Sequence, residues 1–130
     1  MKKIQISPSI LSADFNQLGN EIKRLKDAGA DMIHVDVMDG HFVPNLTIGP
    51  PVIKALKKQS SMIFDVHLMI SPVHKYIDAY SDAGADMIHV DVMDGHFVPN
   101  LTIGPPVIKA LKKQSSMIFD VHLMLSLIHI

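Results

Sequence analysis

A chain of 130 residues with a net charge of −1 suits a single domain and offers no basic stripe for nucleic acid. With 48% hydrophobic and 19% charged residues it has an ordinary globular composition, and the absence of cysteine excludes disulfide and thiolate chemistry. No apolar run approaches the ~20 residues of a bilayer span, and Met1 to Pro8 has charges but not the apolar run of a leader, so a soluble cytoplasmic protein is expected.

Ile4 to Leu11 reads as a strand, with Ile4, Ile6 and Ile10 on one face. Phe15, Leu18, Ile22 and Leu25 then recur at helical spacing, and Gly29 is a natural stop after Lys23, Arg24 and Lys26. Met32 to Met38 is the second strand. A loop rich in turn residues follows, and Pro50-Pro51 opens a short helix through Lys58. Ile63 to Met69 is the third strand. Ser71-Pro72 suits a helix start, Val73, Tyr76, Ile77 and Tyr80 give its stripe, and Gly84 ends it.

Residues 82–124 then repeat residues 27–69 letter for letter, which supplies further strands at Met87 to Met93 and Ile118 to Met124. Natural repeats drift at exposed positions, yet Lys57 to Ser61 recurs unchanged as Lys112 to Ser116. A very recent duplication or a chimeric reading frame explains the identity. The lysines at 54, 57 and 58, and their copies at 109, 112 and 113, read as solvated helix faces. Strands alternating with helices predict an α/β fold with about five parallel strands and right-handed crossovers. No glycine-rich loop follows a strand, so a dinucleotide site gets no support.

Side chains alternate along a strand, so His34, Asp36 and Met38 share one face and Asp65, His67 and Met69 share another. Two neighbouring strands thus bring imidazoles and carboxylates together. One reading is a divalent metal (Zn, Mn, Fe or Co) held by His34, Asp36 and His67, with room left for a substrate oxygen. The other is a set of polar residues satisfied by hydrogen bonds. Met38 and Met69 are either core filler or an apolar wall beside the ion. His41 and His74 fall on a loop and a helix surface.

Ser7-Pro8-Ser9-Ile10-Leu11-Ser12-Ala13-Asp14-Phe15, then His34-Val35-Asp36-Val37-Met38-Asp39-Gly40-His41-Phe42-Val43-Pro44-Asn45, then Asp65-Val66-His67-Leu68-Met69, closely resemble the ribulose-phosphate 3-epimerases. The motifs stand in family order and spacing through residue 81. The resemblance implies a (β/α)₈ TIM barrel, here expected to be partial and unclosed, that interconverts ribulose 5-phosphate and xylulose 5-phosphate in the pentose phosphate pathway. A relative acting on allulose 6-phosphate is the neighbouring alternative. It implies one divalent metal on His34, Asp36, His67 and a further aspartate from a late strand. It also implies that Asp36 is one of two acid/base carboxylates. Ser9, His34, His67, Met38 and Met69 would contact the sugar phosphate. The chemistry is consistent with those roles: removing the proton at carbon 3 leaves an enediolate, whose charge a Lewis acid stabilises, and inversion needs a second acid on the opposite face.

After Tyr80 the resemblance departs, because the chain re-enters strand two at Asp82 to Asp86, a stretch identical to Asp27 to Asp31. The second catalytic aspartate, the fourth ligand and the phosphate loops of the family have no counterpart here. Asp91 falls on the same side as Asp36 rather than across the sugar. Residues 125–130 depart from the copied segment and resemble the translation of a transposon-end adaptor, which marks an artefactual tail. Residues 1–130 are therefore expected to form one incomplete barrel domain, inactive as it stands. It would be an epimerase by descent, or a non-catalytic metal-binding fragment whose open edges favour homo-oligomers or aggregation. The duplicated set His89, Asp91 and His122 would form a second half-site.

Overall fold

The computed structural model describes residues 4–127. Four parallel strands form one open sheet in chain order: β1 (Met32–Met38), β2 (Ile63–Met69), β3 (Met87–Met93) and β4 (Ile118–Met124). The helices are α1 (Leu18–Asp27), α2 (Pro50–Lys57), α3 (Ile77–Ala83) and α4 (Pro105–Gln114). The result is a partial, unclosed α/β barrel.

The expected first strand is not a full strand. Ile4 to Leu11 lies alongside β1 and makes a single bridge, Ser9 to His34. His34 N–H donates to the Pro8 carbonyl and Ile10 N–H to the His34 carbonyl, at 2.9 and 3.1 Å. Met32 N–H donates to Ile6 O, but the return bond to the Met32 carbonyl would need an N–H at position 8. Proline has none, so the ladder breaks there.

Burial follows the alternation in β1 and β3. In β1, Ile33, Val35 and Val37 are buried while His34, Asp36 and Met38 are partly open. The buried faces of β1 to β3 join Leu18, Ile22, Ile53, Leu56 and Tyr80 in one core. Each fully buried aliphatic or Phe side chain contributes roughly 1.5–3 kcal/mol, which holds the helices on that side. The polar face is left open.

Two helix starts differ from the periodic pattern. Phe15 lies in a short 3-10 turn, Phe15–Gln17, and is 48% exposed. Residues Val73–Lys75 form another such turn, and α3 begins only at Ile77, leaving Tyr76 outside the stripe. Ser71 does not cap a helix, since Pro72 and Tyr76 stand at the two N-cap positions; its N–H instead donates to Asp39 Oδ2 at 2.9 Å. Nor is Lys57 simply solvated: its Nζ binds Asp86 Oδ2 at 2.5 Å and the Met62 carbonyl at 2.7 Å.

The register sets the levels of the polar face. Strands β1 and β2 pair without offset, Met32 against Ile63, and so do β3 and β4, Met87 against Ile118. Between β2 and β3 the register steps by two residues, so that Asp65 faces Met87 and His67 faces His89. A two-residue step at every second interface totals about eight over eight strands, the shear of a closed (β/α)₈ barrel. The curvature of a barrel is therefore built into these strands although the sheet is open.

Candidate metal centre

The open face of the sheet carries a continuous chain of imidazoles and carboxylates. His34 Nδ1 lies 2.9 Å from Asp65 Oδ2, and His34 Nε2 lies 3.4 Å from Asp36 Oδ1. Asp36 Oδ1 also faces His67 Nδ1 at 3.3 Å. Across the stepped interface His67 Nε2 meets Asp91 Oδ2 at 3.3 Å. The copied strands repeat the first arrangement, with His89 Nδ1 3.0 Å from Asp120 Oδ2, His89 Nε2 3.3 Å from Asp91 Oδ1, and His122 Nδ1 3.2 Å from the same oxygen.

Ser9 enters from the segment beside β1. Its hydroxyl donates to Asp36 Oδ2 at 2.5 Å and accepts the Leu11 N–H at 3.1 Å. The serine thus occupies one oxygen of Asp36 and leaves the other between the two histidines. Thr47 secures the end of the same strand, donating to the Asp36 carbonyl at 2.6 Å and accepting the Met38 N–H at 3.0 Å. Met38 and Met69 pair across β1 and β2 one level above Asp36 and His67, both partly buried. His41 lies on the exposed loop, its N–H held by Asp39 at 2.8 Å.

Burial and pairing set the charges. For Asp65, burial opposes ionisation, but hydrogen bonds from His34 and His89 outweigh it and hold the carboxyl well below the usual range. The bond to Asp65 raises His34, whereas desolvation lowers His67. His89 is pushed up to about 9, first by Asp65 and, against burial, also by Asp120.

The donor set fits a cation. Bonds of about 2.0–2.1 Å at tetrahedral angles place ligand atoms about 3.3 Å apart. The separations of 3.4 and 3.3 Å around Asp36 Oδ1 match that edge, and the donors of His34, Asp36 and His67 lie within 4.8 Å of one another. Asp65 supplies the supporting carboxylate that metal-bound histidines ordinarily have. The alternation placed it on this face, but its link to His34 depends on the strand register.

The tail residues within the described range take up positions from the first unit. Leu125 packs against the core where Ile70 does, and Ser126 binds Asp94 Oδ2 through N–H at 2.6 Å, as Ser71 binds Asp39. Residues 128–130 of the expected tail lie outside the described residues.

The sequence profile of the Ribulose-phosphate 3 epimerase family matches residues 5–88 and again residues 79–129. A ribulose-phosphate 3-epimerase of Rhodobacter capsulatus is 58% identical over 94 residues, covering 72% of this chain and 41% of that protein. Ribulose-phosphate 3-epimerases of Synechocystis and Bacillus subtilis are each 56% identical, over 91 and 87 residues. This chain spans about two fifths of the length of these curated relatives, 40–41%. The doubled profile match follows the internal duplication, and the chain belongs to the ribulose-phosphate 3-epimerase family.

Proposed function

We propose that these residues form the metal-binding and proton-abstracting half of a 3-epimerase site for a ketopentose phosphate, ribulose 5-phosphate in the first instance. The observation that carries this is Asp36 Oδ1 lying between His34 Nε2 and His67 Nδ1 at 3.4 and 3.3 Å. A bound divalent ion would supply Lewis acidity to the oxygens beside carbon 3. The identity of that ion, among Zn, Mn, Fe and Co, is set by the mixed imidazole and carboxylate donors only as far as borderline softness.

The protein groups divide the remaining work. Asp36 accepts the proton from carbon 3, with Ser9 holding its other oxygen and so fixing the carboxylate plane. Asp65 orients His34. Met38 and Met69 supply an apolar wall above the ion, which keeps water from the reacting carbon. Inversion needs a proton delivered to the opposite face of the sugar. The carboxylates Asp36, Asp65, Asp91 and Asp120 all rise from one sheet, and Asp91 stands beside His67 rather than across from Asp36. The chain therefore takes up the ion without converting ribulose 5-phosphate to xylulose 5-phosphate.

Calorimetric titration with Zn(II) or Co(II), paired with an epimerase assay on the same sample, tests both halves. Loss of one equivalent of uptake in His34→Ala, without turnover in the parent chain, is the expected result. Turnover that Asp36→Asn abolishes would show a complete site, and a chain that takes up no ion would refute the metal assignment.

A further inference from the structure

The family's one metal set accounts for His34, Asp36 and His67, but not for the same geometry at the opposite edge of the sheet. We propose that the chain holds a second divalent transition-metal ion on His89, Asp91 and His122, coupled to the first through Asp91. This builds on the ligand set of the first site but stands on separate residues.

Four features of the structure support it. The separations around Asp91 Oδ1, 3.3 Å to His89 Nε2 and 3.2 Å to His122 Nδ1, match the ligand edge of a tetrahedral ion as closely as those around Asp36. His89 Nδ1 has a supporting carboxylate, Asp120, at 3.0 Å, with Asp65 also near it at 3.6 Å, as His34 has Asp65 at 2.9 Å. Asp91 Oδ1 is buried and accepts no hydrogen bond, although both imidazoles are within ion-pair distance. A buried carboxylate oxygen in that state is costly unless a cation or donor occupies the gap.

The fourth observation is charge. Asp36, Asp65, Asp91 and Asp120 share this face with four imidazoles, and among the described residues none of these carboxylates has a lysine or arginine partner. A divalent ion at each ligand set would place positive charge among these carboxylates.

The sites are not independent. In the first, Ser9 holds the second oxygen of Asp36. In the second, the corresponding oxygen of Asp91 faces His67 Nε2 at 3.3 Å. Asp91 would thus bind the second ion through Oδ1 and orient a ligand of the first through Oδ2. The exposed His122 leaves the second site open at the sheet edge, where an ion can enter.

Co(II) titration of the full chain, followed by its visible absorption and by bound-metal analysis, tests this. Two equivalents are expected in the parent, one in His122→Ala and one in His34→Ala. His122→Cys should keep two and add a sulfur-to-cobalt charge-transfer band, a signal that also reports a folded site. Asp91→Asn should lose the second ion and weaken the first by about 10–100-fold. A single ion lost with His122 but kept in His34→Ala would uphold the second site and sink the first. A single ion lost with His34 and indifferent to His122→Ala, or no sulfur band in His122→Cys, would overturn the second site.

Discussion

His34 and Asp65 stand opposite each other on β1 and β2, Nδ1 to Oδ2 at 2.9 Å, and Asp65 is 2% exposed. This pair decides which nitrogen of His34 faces Asp36. Asp65→Asn keeps the shape but removes the charge that favours Nδ1–H and leaves Nε2 free. Metal affinity at the first site should fall by about 10–100-fold, read by competition with a chelator of known strength. Unchanged affinity would mean that Asp65 only fills space.

The internal identity allows one substitution to be compared in two surroundings. Gly29 and Gly84 occupy the same place in the repeated segment, with φ of +94° and +105°. An added Cβ at Gly29 meets nothing within 4 Å, whereas at Gly84 it meets Lys57 Cγ at 2.7 Å. Both alanines should cost about 1–2 kcal/mol from the left-handed backbone. Gly84→Ala should cost more, because it pushes Lys57 away from Asp86. Urea unfolding should show a lower midpoint for Gly84→Ala than for Gly29→Ala, and equal midpoints would contradict the contact.

Asp39 organises the loop after β1, accepting the N–H groups of His41, Phe42 and Ser71. These bonds, that from Ser71 first, hold its carboxyl at about 2. Since the unfolded value is about 3.9, the folded state gains stability that is complete above it and lost as pH falls toward 2. The stability difference between the parent and Asp39→Asn should therefore shrink steadily below about pH 4. A difference constant down to pH 2 would rule this out.

The repeated strands also differ in what covers them. Val66 is 0% exposed, while its copy Val121 is 37% exposed, and Leu123 on β4 reaches 62%. An apolar strand at a sheet edge invites pairing with another chain. Leu123→Lys should reduce the mass seen by light scattering with little loss of helicity. Val66→Lys, burying a charge, should abolish the cooperative melt. Association unaffected by Leu123→Lys would move the contact elsewhere.

How far the sequence reaches is shown by particular residues. The bounds of Met32–Met38 follow from alternation, because a strand with one buried face must alternate, whereas in Ile63–Met69 the polar Asp65 is buried together with Phe64 and Val66. The segment before them satisfies the same pattern yet forms only one bridge, since a pattern of side chains does not count backbone donors and Pro8 lacks one. Tyr76 fits the stripe of α3 but lies outside it, because Val73–Lys75 winds as a tighter 3-10 turn and the α-helix begins only at Ile77.

The sequence by itself determined the family, the strand faces and the grouping of His34, Asp36 and His67, since all three follow from order along the chain and a side-chain period of two. Only the tertiary structure decided that Asp65 supports His34, that Asp91 reaches His67, and that identical segments become a covered pair of strands and a bare one. Those outcomes depend on a two-residue step between β2 and β3 and on which neighbours each segment meets, and residues identical in sequence carry no information about that difference.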